Sequence, residues 1–150
     1  MATGEHLVID GYNVIHAWKS LLPHCARHDA IMIDALAERV RIIHDFDGIR
    51  TTIVFDGNGR KVDIQRPSKE MTFSLLFTPK GMSADAFIEQ LTAKNAMPQS
   101  MTIVTQDAMI QEVVMAYGAL CITPESLEKR IEHCEKRLAD HLKRRHKGHL

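Results

Sequence analysis

The stretch Leu7-Val8-Ile9-Asp10-Gly11-Tyr12-Asn13 decides how this 150-residue chain is read. An apolar, β-type run leads straight into an aspartate, and a turn and a helical segment follow. The pattern recurs at Ile53-Val54-Phe55-Asp56, at Phe73-Ser74-Leu75-Leu76-Phe77 leading to Asp85, and at Ile103-Val104-Thr105-Gln106-Asp107. Apolar runs of this length separated by helical segments read as a parallel sheet. All strand C-termini of such a sheet lie on one edge, where ligands bind. Four carboxylates far apart in sequence should therefore converge. Clustered anions repel, and a divalent cation is the usual offset.

Working outward, strands are expected at about 6–10, 51–56, 71–77, 101–105 and 119–122. Gly11-Tyr12-Asn13 is expected to be a turn, and a short helical piece over 14–22 should stop at Pro23. A helix over 29–46 places Ile33, Leu36, Ala37, Val40 and Ile43 on one stripe. Ser83 is a good N-cap for a helix over 84–95, and Gly118 should end a helix over 107–117. Thr123-Pro124 opens a last helix to about residue 143, whose stripe Leu127, Ile131, Cys134, Leu138 and Leu142 should dock on the domain. Residues 57–70, with two glycines, a proline and several charges, read as a mobile loop. The alternation implies an α/β fold: a three-layer α/β/α sandwich around a mainly parallel sheet of about five strands. At this length one domain over 1–150 is expected, with 124–150 a C-terminal helix and basic tail packed on it or extending from it.

Formal charge is zero but unevenly spread. Residues 124–150 hold eight Lys/Arg against five Asp/Glu, a net of +3, and the rest of the chain balances it. The basic tail, with Lys143, Arg144, Arg145 and Lys147, can meet a polyanion locally. Cys25, Cys121 and Cys134 are odd in number and lack paired spacing, which argues against a disulfide framework. With no signal peptide and no apolar run of membrane-spanning length, a cytoplasmic protein with no membrane partner is expected.

In this scheme Asp10 and Asp56 cap adjacent strands, and Asp107 follows the strand on the other side of Asp10. Asp85 sits in the first turn of a helix, and Glu89 lies one turn further on the same face. An oxygen-rich pocket of this kind suits Mg²⁺ or Mn²⁺ and can support phosphodiester hydrolysis. Each acid has a plainer reading. Asp-Gly is a turn pair, Asp107 an N-cap, Asp85 a first-turn charge and Glu89 a solvated helix residue. Four such coincidences on one sheet edge favour the site.

Taken together, LVIDGYNVIHAW, IVFDG, LLFTPKGMSADAFIE, IVTQD and YGALCITPESL resemble the YacP-like branch of the NYN ribonucleases, within the PIN-like superfamily. The resemblance runs from about residue 7 to residue 127 with the motifs in order. It implies a PIN-like sheet, divalent-metal-dependent endonuclease chemistry and an RNA substrate. Some such relatives are associated with ribosomes and translated messages. By motif, Asp10, Asp56, Asp85 and Asp107 would be the metal-site acids. Asn13 would position an acid, a water or the phosphate. Relatives often carry Thr-Ser-Asp where this chain has Thr105-Gln106-Asp107, a departure at residue 106.

Arg60, Lys61, Arg66, Lys69 and Lys80 lie in or beside the loops expected nearest the acids, where an entering polyanion needs cations. Tyr12, beside Asp10, is a candidate for base stacking; Trp18 reads as a packing residue. His24-Cys25 and His28 lack the further ligands of a zinc site. His133, His141, His146 and His149 read as part of a solvated basic helix end. Gly57-Asn58-Gly59 is no dinucleotide fingerprint, and no GK[ST] phosphate loop occurs. Three functions remain: a metal-dependent endoribonuclease, a non-cleaving RNA- or ribosome-binding module, and a nuclease or phosphatase acting on DNA or small phosphates.

Overall fold

A computed structural model describes residues 4–18 and 29–148. The elements run β1 (His6–Asp10), α1 (Gly11–Ala17), α2 (Asp29–Asp47), β2 (Arg50–Gly59), β3 (Asp63–Gln65), β4 (Phe73–Pro79), α3 (Ala84–Lys94), β5 (Met101–Val104), α4 (Ala108–Ala116), β6 (Leu120–Ile122) and α5 (Pro124–Gly148). The sheet has six strands in the order β3-β4-β2-β1-β5-β6. Every pairing is parallel except β3 with β4.

Each central strand alternates its apolar residues between two cores, as the period of two requires. Leu7, Ile9, Ile53 and Phe55 face α1, α2 and α5. Val8, Val54, Leu76 and Ile103 face α3 and α4. The expected α2 stripe is buried in the first of these cores. The result is the three-layer sandwich expected. β1 is its switch point: the chain leaves β1 for β2 on one side, and later crosses through α3 to β5 on the other. In such sheets the ligand crevice opens at the strand ends on either side of this point.

Three local expectations change. Residues 57–70 are not simply a loop. β2 runs on to Gly59, and Asp63–Gln65 pairs antiparallel with β4, Asp63 opposite Phe77 and Gln65 opposite Leu75. All three β3 residues are exposed, so no apolar alternation marks them; the open edge of β4 makes the strand. Gly11-Tyr12-Asn13 is no turn but the first turn of α1, which follows β1 directly. A Cβ at Gly11 would strike the Phe55 ring, so glycine lets this helix sit on that fully buried side chain. The last helix continues past residue 143 to Gly148.

Leu127, Ile131 and Cys134 of α5 are buried against α2 and the sheet, whereas Leu142 is exposed. The expected stripe thus docks only in its first half. Burying each large apolar side chain contributes about 1.5–3 kcal/mol. Arg130 grips Glu5 through two hydrogen bonds of 3.0 and 2.8 Å, and Arg137 pairs with Asp47 at 2.9 Å. Trp18 packs as expected, its ring N–H donating to the Pro124 carbonyl at 2.9 Å. Residues 24, 25, 28 and 149, which include the expected His/Cys fragment, lie outside the described residues. No helix among the described residues is long and apolar enough to cross a membrane.

Candidate active site

Asp10 ends β1 at the switch point and is only 5% exposed. It occupies the N-cap position of α1, yet its carboxylate makes no capping hydrogen bond. The Thr105 hydroxyl, fully buried at the end of β5, donates to Asp10 Oδ2 at 3.2 Å. Thr105 Oγ1 itself accepts the Asp107 backbone N–H at 3.1 Å. One hydroxyl therefore ties the acid of β1 to the acid that follows β5.

Asp56 follows Phe55 where the β2–β4 register shifts. Gly57 permits this: a Cβ there would strike the Thr78 carbonyl of β4. Asp56 Oδ1 accepts the Ala84 N–H at 2.7 Å, and Ser83 Oγ accepts that of Ala86 at 3.1 Å. Two side chains thus cap α3, and Asp85 rides in its first turn. Asp107 caps α4 through Oδ1, which accepts from Met109 at 2.9 Å and Ile110 at 3.4 Å. The plain N-cap reading of Asp107 is therefore true, and the same residue still faces the other acids. Two helix N-termini, with their partial positive charge, open onto this edge.

The acids feel one another. Burial, then the charge of Asp85, pushes the Asp10 carboxyl up to about 7, and Asp56 adds to the effect. Burial also raises Asp85, with Asp107 and Asp56 raising it further, while a hydrogen bond from Asp10 works the other way. Asp10, the more buried of the two, is the acid whose protonated form this environment favours most. Asp56 and Asp107 stand on either side at longer range. Glu89, half-buried one turn along α3, takes part in none of the hydrogen bonds that join the aspartates.

Asn13 Oδ1 accepts the Gln106 backbone N–H at 2.7 Å, which pins the β5–α4 connection to α1. The partner is main chain, so the side chain at 106 is immaterial to the contact. Thr105 was visible only as a strand end; its hydroxyl in contact with Asp10 and Asp107 had no signal of its own in the sequence.

The five loop cations separate. Arg60, Lys61 and Lys80 are exposed at the acid edge, where the Lys80 N–H donates to the Gly59 carbonyl at 2.9 Å. β3 then carries the chain back along β4, and Arg66 and Lys69 fall in a turn near the opposite edge. Tyr12 packs edge-on against Phe55, ring centroids 5.1 Å apart.

The opposite edge holds a cluster not foreseen. Among the described residues only His44, Asp45 and Glu70 place three ligand atoms within 4.8 Å of one another. The buried His44 ring already bridges Asp45 Oδ1 at 2.8 Å and Thr72 Oγ1 at 2.7 Å, and Arg41 holds Asp45 at 3.0 Å. This is a satisfied polar network joining α2 to the start of β4.

The profile of the YacP-like NYN domain matches residues 7–149. The chain belongs to the YacP-like NYN domain family. The NYN domain is a PIN-like nuclease fold, which agrees with the sheet order and with acids on the carboxyl edge. The chain is 28% identical to the YacP protein of Bacillus subtilis (strain 168) over 133 residues, 88% of this chain and 78% of that one. The crystal structure of Rae1 (YacP) from Bacillus subtilis superposes with a TM-score of 0.72 at 25% identity, over 93% of this chain and 80% of that one. Its W164L mutant gives a TM-score of 0.75 at the same identity, over 93% and 82%. The NYN chain is thus similar to these proteins across most of both lengths.

Proposed function

We propose that this chain is a divalent-metal-dependent endoribonuclease that hydrolyses phosphodiester bonds of RNA at the edge holding Asp10, Asp56, Asp85 and Asp107. The observation that carries the reading is the set of contacts at the carboxyl edge: Thr105 ties the buried Asp10 to Asp107, and Asp85 rides in the first turn of the helix that Asp56 caps. Purely structural carboxylates do not gather this way without an offset. The donors are all oxygens, which fits Mg²⁺ or Mn²⁺ and not zinc. The four aspartates would hold it, with Glu89 within reach of one helical turn. Held there, such an ion would supply charge stabilisation to the scissile phosphate and a more acidic attacking water.

The chain's own groups supply position. Thr105 fixes the Asp10 carboxylate, and Asn13 fixes the segment that bears Asp107. The N-termini of α3 and α4 favour an entering anion. Arg60, Lys61 and Lys80 draw the backbone of the polyanion to the edge. Family membership in a nuclease superfamily supports the reaction class, and RNA is the substrate the family implies.

A panel of single-stranded RNA, flapped DNA and mononucleotide phosphates, each with Mn²⁺ and with chelator, tests this. Metal-dependent internal cleavage confined to RNA is the expected result. Hydrolysis of only DNA or mononucleotides, or none of any substrate, refutes it.

A further inference from the structure

A cavity of about 450 Å³ opens immediately beside Asp56. Tyr12 and Phe77 supply aromatic surface in it; Asn58, Asp63 and Gln65 supply polar groups; Lys61 is its cation. Its walls are held by main chain. The Gly57 N–H donates to Thr78 Oγ1 at 3.1 Å, and β3 is paired to β4 opposite. Phe77 stacks on the buried Phe55 at 5.4 Å and 21°, and Tyr12 meets the same ring edge-on. One buried ring thus fixes both aromatic surfaces.

We infer that this cavity is a nucleobase subsite, occupied by a nucleotide next to the phosphate at the acids. The inference rests on the reading of the four aspartates as a phosphodiester-cleaving edge. The cavity has the size of a small-ligand site. Its mixture of flat aromatic surface with side-chain amides matches a base, which stacks by its face and is read at its edge. Asp56 belongs to both places, so a group filling the cavity lies one covalent step from a phosphate among the carboxylates. Lys61 meets the backbone at the junction.

The polar end has a bias. The Gln65 amide donates to Asp63 Oδ2 at 3.2 Å and so orients a carboxylate that only accepts. A carboxylate pairs with an exocyclic amino group, as on cytosine, adenine or guanine, and a carboxamide pairs well with adenine. The subsite therefore favours an amino-bearing base over uracil. Pairs of this type discriminate by roughly tenfold or more.

Two measurements test it. Cleavage of a random single-stranded RNA pool with Mn²⁺, followed by sequencing of the ends, should show amino-bearing bases enriched over uracil at one fixed position beside the cut. Asp63→Ala and Gln65→Ala, both on the exposed β3, should reduce that enrichment roughly tenfold while the protein remains folded. Cutting with no positional preference, or a preference that both variants leave intact, overturns the subsite without touching the nuclease reading. Second, 2-aminopurine placed in a single-stranded RNA should lose fluorescence on binding the Asp56→Asn protein and regain it with Tyr12→Leu added. If wild type cuts nothing, the nuclease reading falls and this second measurement still decides: saturable quenching sensitive to Tyr12 upholds the subsite, and its absence overturns it.

Discussion

Gln106 donates its backbone N–H to the side-chain oxygen of Asn13, 2.7 Å away and 93 residues earlier in the chain. This contact couples the first turn of α1 to the connection that carries Thr105 and Asp107. It also accounts for glutamine at position 106, because only the main chain is used.

Asn13→Ala should cost about 1 kcal/mol of stability and lower cleavage disproportionately, by roughly tenfold or more, through misplaced acids. Asn13→Asp retains the acceptor but adds a carboxylate at the acid edge, so it should melt below wild type in chelator. Gln106→Ala should match wild type in both respects. Thermal melts and initial cleavage rates of the three variants check this; an inactive Gln106→Ala would show that the side chain has a role of its own.

Stability of the metal-free protein should fall as pH rises from about 4 to 7. Asp10 is held at about 7 in the folded chain against an ordinary 3.8. Below 3.8 the group is protonated in both states. Between the two values only the folded state retains the proton, so each step up in pH favours unfolding. The full shift corresponds to at most about 4 kcal/mol. Asp10→Asn, which mimics the protonated form, should flatten the slope, and Mn²⁺ should restore the wild-type protein at pH 7. Melting curves in chelator across this window decide; a level wild-type curve refutes the raised Asp10 carboxyl.

Asp56 has two duties that substitution can separate. Asp56→Asn keeps an oxygen for the Ala84 N–H and loses the charge. It should abolish cleavage with folding intact, and it should melt higher in chelator because repulsion is relieved. Asp56→Ala also loses the cap and should be less stable than Asp56→Asn by about 1 kcal/mol. Calorimetry of the pair, with Mn²⁺-dependent cleavage as readout, tests both statements.

The division of the loop cations predicts unequal salt responses. Replacing Arg60 and Lys61 together by alanine should weaken RNA binding and reduce the slope of log K against log[salt] by roughly one to two. Replacing Arg66 and Lys69 should leave the slope at its wild-type value. Equal effects from both pairs would mean that RNA reaches the opposite edge.

Gly11→Ala should cost about 1–3 kcal/mol, since its new methyl group meets the buried Phe55 ring. Urea denaturation measures the loss directly.

The residues that form elements were legible because their signals are local. Leu7-Val8-Ile9 and Ile53-Val54-Phe55 announce buried strands, and Ser83, Thr123 and Gly118 mark helix ends where the structure has them. From strand order alone the four aspartates could be assigned to one edge. Asp63–Gln65 was not legible, because its pairing depends on the free edge of β4 and on nothing in its own three residues. For the same reason the sequence grouped Arg66 and Lys69 with Arg60 and Lys61, which β3 separates.

By itself, then, the sequence determined the main alternation of strands and helices, the α/β class and the family, since these follow from periodicity, caps and motif spacing along the chain. Only the tertiary structure decided that Thr105 joins Asp10 to Asp107, that Asn13 holds the segment bearing Asp107, and that a cavity lies beside Asp56. Burial, through-space charge and long-range hydrogen bonds depend on distances between chain segments, and those distances exist only once the sheet has closed.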